Sequence, residues 1–219
     1  MLDLFCGFDK REGIGFHVFI NSVLEHASVP VSIVPLDSKG LPEGSNSFTL
    51  SRFLVPYLMN YRGWAIFADG SDMLCLGDIA DLYEMRDPGF AVQVVKRPDY
   101  TSRHARKYIG TPMECEQTNY SRKQWASLML INCEHPAWSW ITPSTIAESR
   151  PLDLLQLAFC GPLIGDLPAN WNVLADEGDS LADAKLLHYT AGIPAFEHYS
   201  KAPGADLWVR QFLSMTEAA

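Results

Sequence analysis

Long apolar runs are missing from this 219-residue sequence: polar residues break every stretch well before the ~20 that a membrane-spanning helix requires. Cys-x-x-Cys pairs are missing too. The five cysteines (Cys6, Cys75, Cys115, Cys133, Cys160) are odd in number and widely spaced. That excludes zinc ribbons and thioredoxin chemistry and predicts reduced, mostly buried thiols. Positive charge is scarce. Seventeen Lys and Arg stand against 26 Asp and Glu, a net charge of −9, and such a surface, if evenly charged, repels phosphate backbones and anionic lipid. Repeats, low-complexity tracts and linkers do not occur. The opening MLDLFCGFD has no basic n-region and reads as a first strand, so a signal peptide is not expected. The expected location is cytoplasmic, with peripheral membrane attachment as the alternative.

The composition is that of one packed domain, 47% hydrophobic and 20% charged. Apolar periodicity predicts a strand at Leu2–Phe8, a helix over Glu12–His26 and a strand at Val31–Pro35. A helical face over Phe48–Tyr61 is interrupted by Pro56, which predicts a kink or a late start. Trp64–Ala68 and Phe90–Val95 are further strands, with a short helix capped by Asp78 between them. This alternation predicts an α/β fold with a mixed, mainly parallel, Rossmann-like sheet covered by helices on both faces. The chain divides into a first half, 1–95, and a second half, 124–219. Between them, 96–123 is basic, irregular and expected to be flexible: seven Lys and Arg face three acids there. It is expected to be either a solvated loop or a mobile flap. Further on come a strand at Leu128–Ile131 ending at Asn132, a helix opened by Pro143, a strand at Leu186–Tyr189 and a closing helix over Asp206–Met215.

The most informative segment is WAIFADGSDMLCLGDIADLY, where a buried strand stops at Asp69-Gly70-Ser71-Asp72. Ligands bind where strands leave the carboxyl edge of a parallel sheet, and Gly70 permits a bend that converges both carboxylates. Two close carboxylates need a cation between them, and oxygen ligation suits Mg²⁺, Mn²⁺ or Ca²⁺. The alternative is a solvated Asp/Gly turn. His188, ending the apolar LLHY, is by itself a core histidine or a ligand.

The segment resembles the Asp-x-Asp metal site of GT-A nucleotide-sugar glycosyltransferases, in particular glycosyltransferase family 8 and its bacterial relatives. LFCGFDKREGIGFHVFINSVLEH, FTLSRFLVPYLMNYRGWAIF, YSRKQWASLMLINCEHP and IGDLPANWNVL with LLHYTAGIPAFEHY are similar to further family segments, in the family's order. The resemblance implies a metal-dependent transferase moving a sugar from a nucleotide-diphospho sugar, uridine-linked, with retention. It implies 1–95 as the nucleotide-binding half and 124–219 as the acceptor and sugar half, with a flap at 96–123 closing on the diphosphate or steering an anionic acceptor. It implies Asp69, Asp72 and His188 as metal ligands, and the imidazole favours Mn²⁺ (or Mg²⁺) over Ca²⁺. Phe8, Asp9, Arg11, Arg52, Asp69 and Gly70 are implied donor contacts; Lys123, Trp125 and Ser127 form the sugar pocket; Gly192 and Lys201 meet the diphosphate. Asn132 is expected to hold sugar hydroxyls, and Asp153 or Gln156 to stand by the anomeric carbon, the alternative being polar positions on an amphipathic helix. Trp171-Asn172 is an aromatic–amide pair expected in the core or near the acceptor side. The chain departs from the family in its Asp-x-x-Asp spacing, which leaves Asp69 as metal ligand or ribose contact, and in lacking the Lys after His188 and Gly192. Those departures keep two alternatives, a silent nucleotide-sugar or glycan-binding protein and a sugar nucleotidyltransferase. The second lacks a Gly-rich basic loop after the first strand. Acceptors consistent with this chemistry are a glycan or lipid-linked glycan, a protein, or a modified nucleic-acid base.

Overall fold

The apolar runs of the first half form strands β1 (Leu2–Gly7), β2 (Val31–Leu36), β3 (Trp64–Ala68), a short β4 (Met73–Cys75) and β5 (Val92–Val94). The second half adds a small hairpin, β6 (Arg106–Lys107) with β7 (Cys115–Glu116), then β8 (Leu128–Asn132), β9 (Ile164–Asp166), β10 (Val173–Leu174) and β11 (Leu186–His188). The structure is a computed structural model that describes residues 1–42, 44 and 46–217.

The main sheet has the order β2-β1-β3-β8-β5-β9. β1 pairs in parallel with β2 and β3, and β5 with β9, as the strand–helix alternation predicts. β8 runs antiparallel to both of its neighbours. A second, three-stranded sheet, β10-β11-β4, abuts the first and carries His188.

Helices cover both faces. α1 (Gly13–His26) buries Phe19 and Val23 against Leu4, Ile66 and Leu130 on one face. The opposite face packs Phe48, Phe53, Phe67, Trp138 and Leu154. Burying side chains of this size contributes about 1.5–3 kcal/mol each. Pro56 makes its expected break: a 3₁₀ turn over Ser51–Leu54 passes into a single turn of α2 (Val55–Leu58), with the proline in its first turn. α3 (Ile79–Tyr83) is capped by Asp78, whose carboxylate accepts the Ala80 amide at 2.9 Å. α4 (Pro143–Glu148) and α5 (Pro151–Leu155) are short, and α6 (Ala205–Glu217) closes the chain with Trp208 packed beside Leu74, Leu187 and Tyr189. All five cysteines are free, and all but Cys115 are buried.

Because β8 is antiparallel to β5, the stretch from 96 to 123 leaves and re-enters the sheet at the same edge. It is anchored there by acids of the second half. Arg97 pairs with Asp179 at 2.5 Å, and Lys96 with Asp166 at 2.9 Å. Glu177, 5% exposed, accepts the Tyr100 hydroxyl at 2.8 Å, the Arg103 amide at 2.7 Å and the Ser102 hydroxyl. Glu177 thus ties this segment to the second half of the chain, and the segment forms one wall of the cavity that Asp69 and Asp72 line.

Candidate active site

The turn after β3 builds the site. Gly70 takes φ +70, which an L side chain rarely adopts, and a Cβ there would come 3.2 Å from Cys6 Cβ and the Gly7 carbonyl. The Ser71 hydroxyl donates to that carbonyl at 3.1 Å, and the Asp69 amide donates to the Ser127 carbonyl at 2.9 Å. So tied, the turn brings Asp69 and Asp72 to one side. His188 arrives on β11, paired antiparallel to β4, and ligand atoms of all three residues lie within 4.8 Å of one another. His188 Nε2 is 3.4 Å from Asp72 Oδ2.

Each member has its own support. Arg52 pairs with Asp69 at 2.7 Å, donates to the Ala126 and Thr49 carbonyls at 2.8 and 3.0 Å, and lies over the Phe48 and Phe67 rings. Its planar fork reaches both strand and turn, as the resemblance implies for an arginine that orders the first acid. His188 Nδ1 meets Asn172 Oδ1 at 3.0 Å, and Asn172 Nδ2 donates to the Ser127 hydroxyl at 2.9 Å. The amide oxygen can only accept, so Nδ1 carries a proton and Nε2 is the nitrogen that faces the carboxylates.

Burial pushes the Asp69 carboxyl up to about 6, with Arg52 opposing and Asp72 reinforcing. Burial lowers the tendency of His188 to hold a proton, but the charges of Asp72 and Asp69 outweigh it, so its pKa is raised. Asp72 Oδ1 is buried and receives no hydrogen bond, while Asp69 Oδ1 is met only by the Arg52 guanidinium at 2.7 Å. Buried carboxylates, one with an unpartnered oxygen, beside an oriented imidazole fit a divalent ion with mixed O/N ligation. Glu12, fully buried behind Asp72, also lacks a partner on either oxygen. Burial first, then the charges of Asp72 and Asp9, raise its pKa well above the carboxylate range.

The cluster lines one cavity, and a second adjoins that one. The first, about 310 Å³, runs from Asp69, Asp72, His188 and Thr190 past Arg52, Lys107, Tyr108 and Lys123 to an apolar wall of Pro151, Leu152 and Leu155. The second, about 590 Å³, lies over the ends of β1 and β2 with Phe8, Lys10, Arg11, Asp37 and Ser47 around it; Gly44 and Asn46 line both. Asp9 is buried beneath it. It pairs with Arg11, Nε to Oδ1 at 2.9 Å, and accepts the Ser47 amide and hydroxyl at 3.0 Å. Burial works against its charge, yet these hydrogen bonds prevail and hold its pKa at about 2.

Several expected contacts lie elsewhere. Asn132 is at the opposite edge of the sheet: it pairs with Trp64, the start of β3, and its amide donates to the Phe90 carbonyl at 3.4 Å. The reversal of β8 explains this, since the amino-terminal end of that strand, with Gln124, Ala126 and Ser127, faces the cavity. Ser127 is there, but its hydroxyl is spent on Asn172 and the Gln124 carbonyl. Trp125 turns away, its ring covered by Arg122 at 5.2 Å and Lys96 at 5.9 Å. Asp153 is half exposed beside Arg150, and neither it nor Gln156 lines the cavity, because α5 presents Leu152 and Leu155 instead. Gly192 packs under the Tyr199 ring and Lys201 is exposed; both are outside the cavities. Trp171 lies in the core and Asn172 behind His188, a role that nothing in NWN marks. Glu12 and Tyr108 have no expectation from sequence, and Lys107 has one only as a member of the basic segment.

No family model matches the chain. Its fold is that of GT-A-type glycosyltransferases. The galactosyltransferase LgtC, solved with donor and acceptor sugar analogues, superposes with a TM-score of 0.61 at 13% identity, over 97% of this chain and 96% of LgtC. The bifunctional glycosyltransferase WbbM gives a TM-score of 0.66 at 16% identity over 96% of this chain, which spans only 49% of WbbM. The Streptococcus pneumoniae glycosyltransferase GlyE gives 0.60 at 13% identity, with 97% of this chain and 60% of GlyE covered. In sequence the similarity is higher to Protein CDI of Arabidopsis thaliana, 35% identical over 225 residues. Since that match takes in 95% of this chain and 85% of the plant protein, the chain belongs to the Protein CDI family.

Proposed function

We propose that the protein is a metal-dependent glycosyltransferase that moves a sugar from a uridine-diphospho sugar to an acceptor hydroxyl. The observation that carries this is the buried Asp69–Asp72–His188 cluster with the unpartnered Asp72 Oδ1, at the carboxyl edge of a GT-A sheet and lining a cavity that adjoins a second one. The larger cavity suits the nucleoside, with the Phe8 ring and the Arg11 guanidinium at its rim, and the smaller suits the sugar. Uridine is assigned from the resemblance of the first strand and its turn.

In the reaction the bond between the anomeric carbon and the diphosphate oxygen breaks, and the diphosphate leaves with the electron pair. The acceptor oxygen bonds to the anomeric carbon and its proton passes to the departing diphosphate. A bound Mn²⁺ or Mg²⁺ would neutralise charge that develops on the leaving group. Asp69, Asp72 and His188 would hold it, Arg52 keeps Asp69 aimed, and Asn172 keeps the imidazole lone pair outward. Lys107 adds positive charge at the same cavity. Retention would proceed on one face of the sugar, with the diphosphate itself taking the proton.

One observation favours a second reading, a silent nucleotide-sugar binder: Pro151, Leu152 and Leu155 stand where a carboxylate or amide was expected. Mn²⁺-dependent release of UDP from a panel of UDP-sugars decides between them. Asp72→Asn is expected to lower release by at least about a hundredfold, in line with loss of one charge-stabilising group. A wild type with no release from any donor, or an Asp72→Asn variant at the wild-type rate, sinks the enzyme reading.

A further inference from the structure

Lys123 is 5% exposed and lines the smaller cavity, yet among the described residues no carboxylate pairs with its ammonium. Its Nζ lies 6.0 Å from the centre of the Tyr120 ring and donates one hydrogen bond, to the Thr118 carbonyl at 2.7 Å, whereas an ammonium has three donors. The acid whose charge favours it, Glu177, already serves Tyr100, Ser102 and the Arg103 amide. Burial and the charge of Lys107 push the Lys123 pKa down to about 8. A buried, half-satisfied cation next to a second cation is costly, and an anion entering the cavity would relieve it. Asp69, Asp72 and His188 line the same cavity, as do Lys107 and the apolar Pro151, Leu152 and Leu155. A metal held by the acidic cluster would account for a diphosphate, which leaves the Lys123 ammonium for a second anion.

We propose that Lys123, with Lys107 beside it, forms a recognition subsite for a carboxylate carried by a sugar, so that the enzyme handles a uronic-acid residue. This rests on the glycosyltransferase reading and names its substrate class. A hexuronate places its carboxylate across the ring oxygen from the anomeric carbon, so a donor whose diphosphate sits at Asp69 and Asp72 brings that group into the same cavity that Lys123 lines. The same chemistry would serve an acceptor uronide.

Calorimetry in Mn²⁺ separates the sources. UDP, UDP-glucose, UDP-glucuronate and UDP-galacturonate are titrated into the wild type, Lys123→Met and Lys123→Gln, with Lys123→Arg as the charge-preserving control. Methyl glucuronide and methyl glucoside are titrated onto the UDP complex. A uronate donor is expected to bind at least about tenfold more tightly than UDP-glucose, a preference lost in Met and Gln and kept in Arg, with UDP affinity unchanged within about twofold. The same pattern for the methyl glycosides instead places the carboxylate on the acceptor. UDP binding without a uronate preference in either arm overturns this proposal alone. So does a Lys123→Met or Lys123→Gln variant that weakens UDP itself, which would assign Lys123 to the diphosphate. Failure of UDP to bind the wild type overturns the donor reading and this inference together.

Discussion

A histidine can present only one nitrogen to a cation, and which one it presents is decided by what holds the other. In this chain Asn172 makes that decision, 3.0 Å from His188 Nδ1. Asn172→Ala frees the ring to change tautomer and is expected to weaken Mn²⁺ binding by about 10- to 100-fold while the fold is retained. Calorimetry with the metal alone measures it, and an unaltered affinity removes Asn172 from the site. Glu12 presents the opposite situation, a buried carboxyl with nothing to hold either oxygen. A carboxyl whose pKa is raised by folding contributes stability at low pH and loses it as pH rises through the folded value. Glu12→Gln removes that loss. The variant is expected to melt a few degrees above the wild type at neutral pH without metal, the difference closing near pH 5. A lower melting temperature at neutral pH would mean that the charge of Glu12 is stabilising after all.

Among the elements, the strands and helices that repeat a clear apolar period were legible in the sequence: β1, α1, β3 and α3 stand where the pattern puts them, and Asp78 caps as its type predicts. Asp69 and Asp72 were legible for the same reason, an abrupt acidic end to a buried run. The direction of β8 was not. LMLIN is apolar on both faces whichever way it runs, so its sequence carries no sign of orientation. That is why Asn132, at its end, was placed at the wrong edge. The wall formed by 96–123 was equally hidden, because its order comes from a carboxylate distant in sequence. Replacing Glu177 by Gln exchanges an acceptor of several hydrogen bonds for a neutral amide, at a cost of about 1.5–3 kcal/mol. The loss should be read locally. Limited proteolysis between Lys96 and Lys123 is expected to quicken more than global urea unfolding does, and equal sensitivity of both would mean that the wall and the sheet unfold as one.

For the whole molecule, the acidic groups fall into two sets with opposite pH signs. Asp9, held at about 2, contributes stability above its unfolded pKa and gives it up only as pH falls toward 2. Asp69, raised to about 6, loses its contribution as pH climbs through that value, and His188, also raised, loses its own above the ordinary histidine pKa. The metal-free protein is therefore expected to melt at progressively lower temperature from about pH 5 to about pH 8. Mn²⁺, which needs the deprotonated ligands, should raise the melting temperature more at pH 8 than at pH 6. A thermal-shift series with and without the ion tests both statements, and a metal effect that shrinks with rising pH contradicts the ligand assignment. The distribution of charge follows the same edge. A surplus of four positive charges over 96–123 is set against a deficit of thirteen in the rest of the chain, and β5 and β8 deliver that surplus to the rim where Asp69 and Asp72 emerge. One strand laid against the grain thus makes the rim both an exit and an entrance for the chain. Residues added or removed between Val94 and Leu128 would redraw what the cavity admits without breaking a single rung of the sheet, so in this architecture selectivity and stability can be tuned on separate dials.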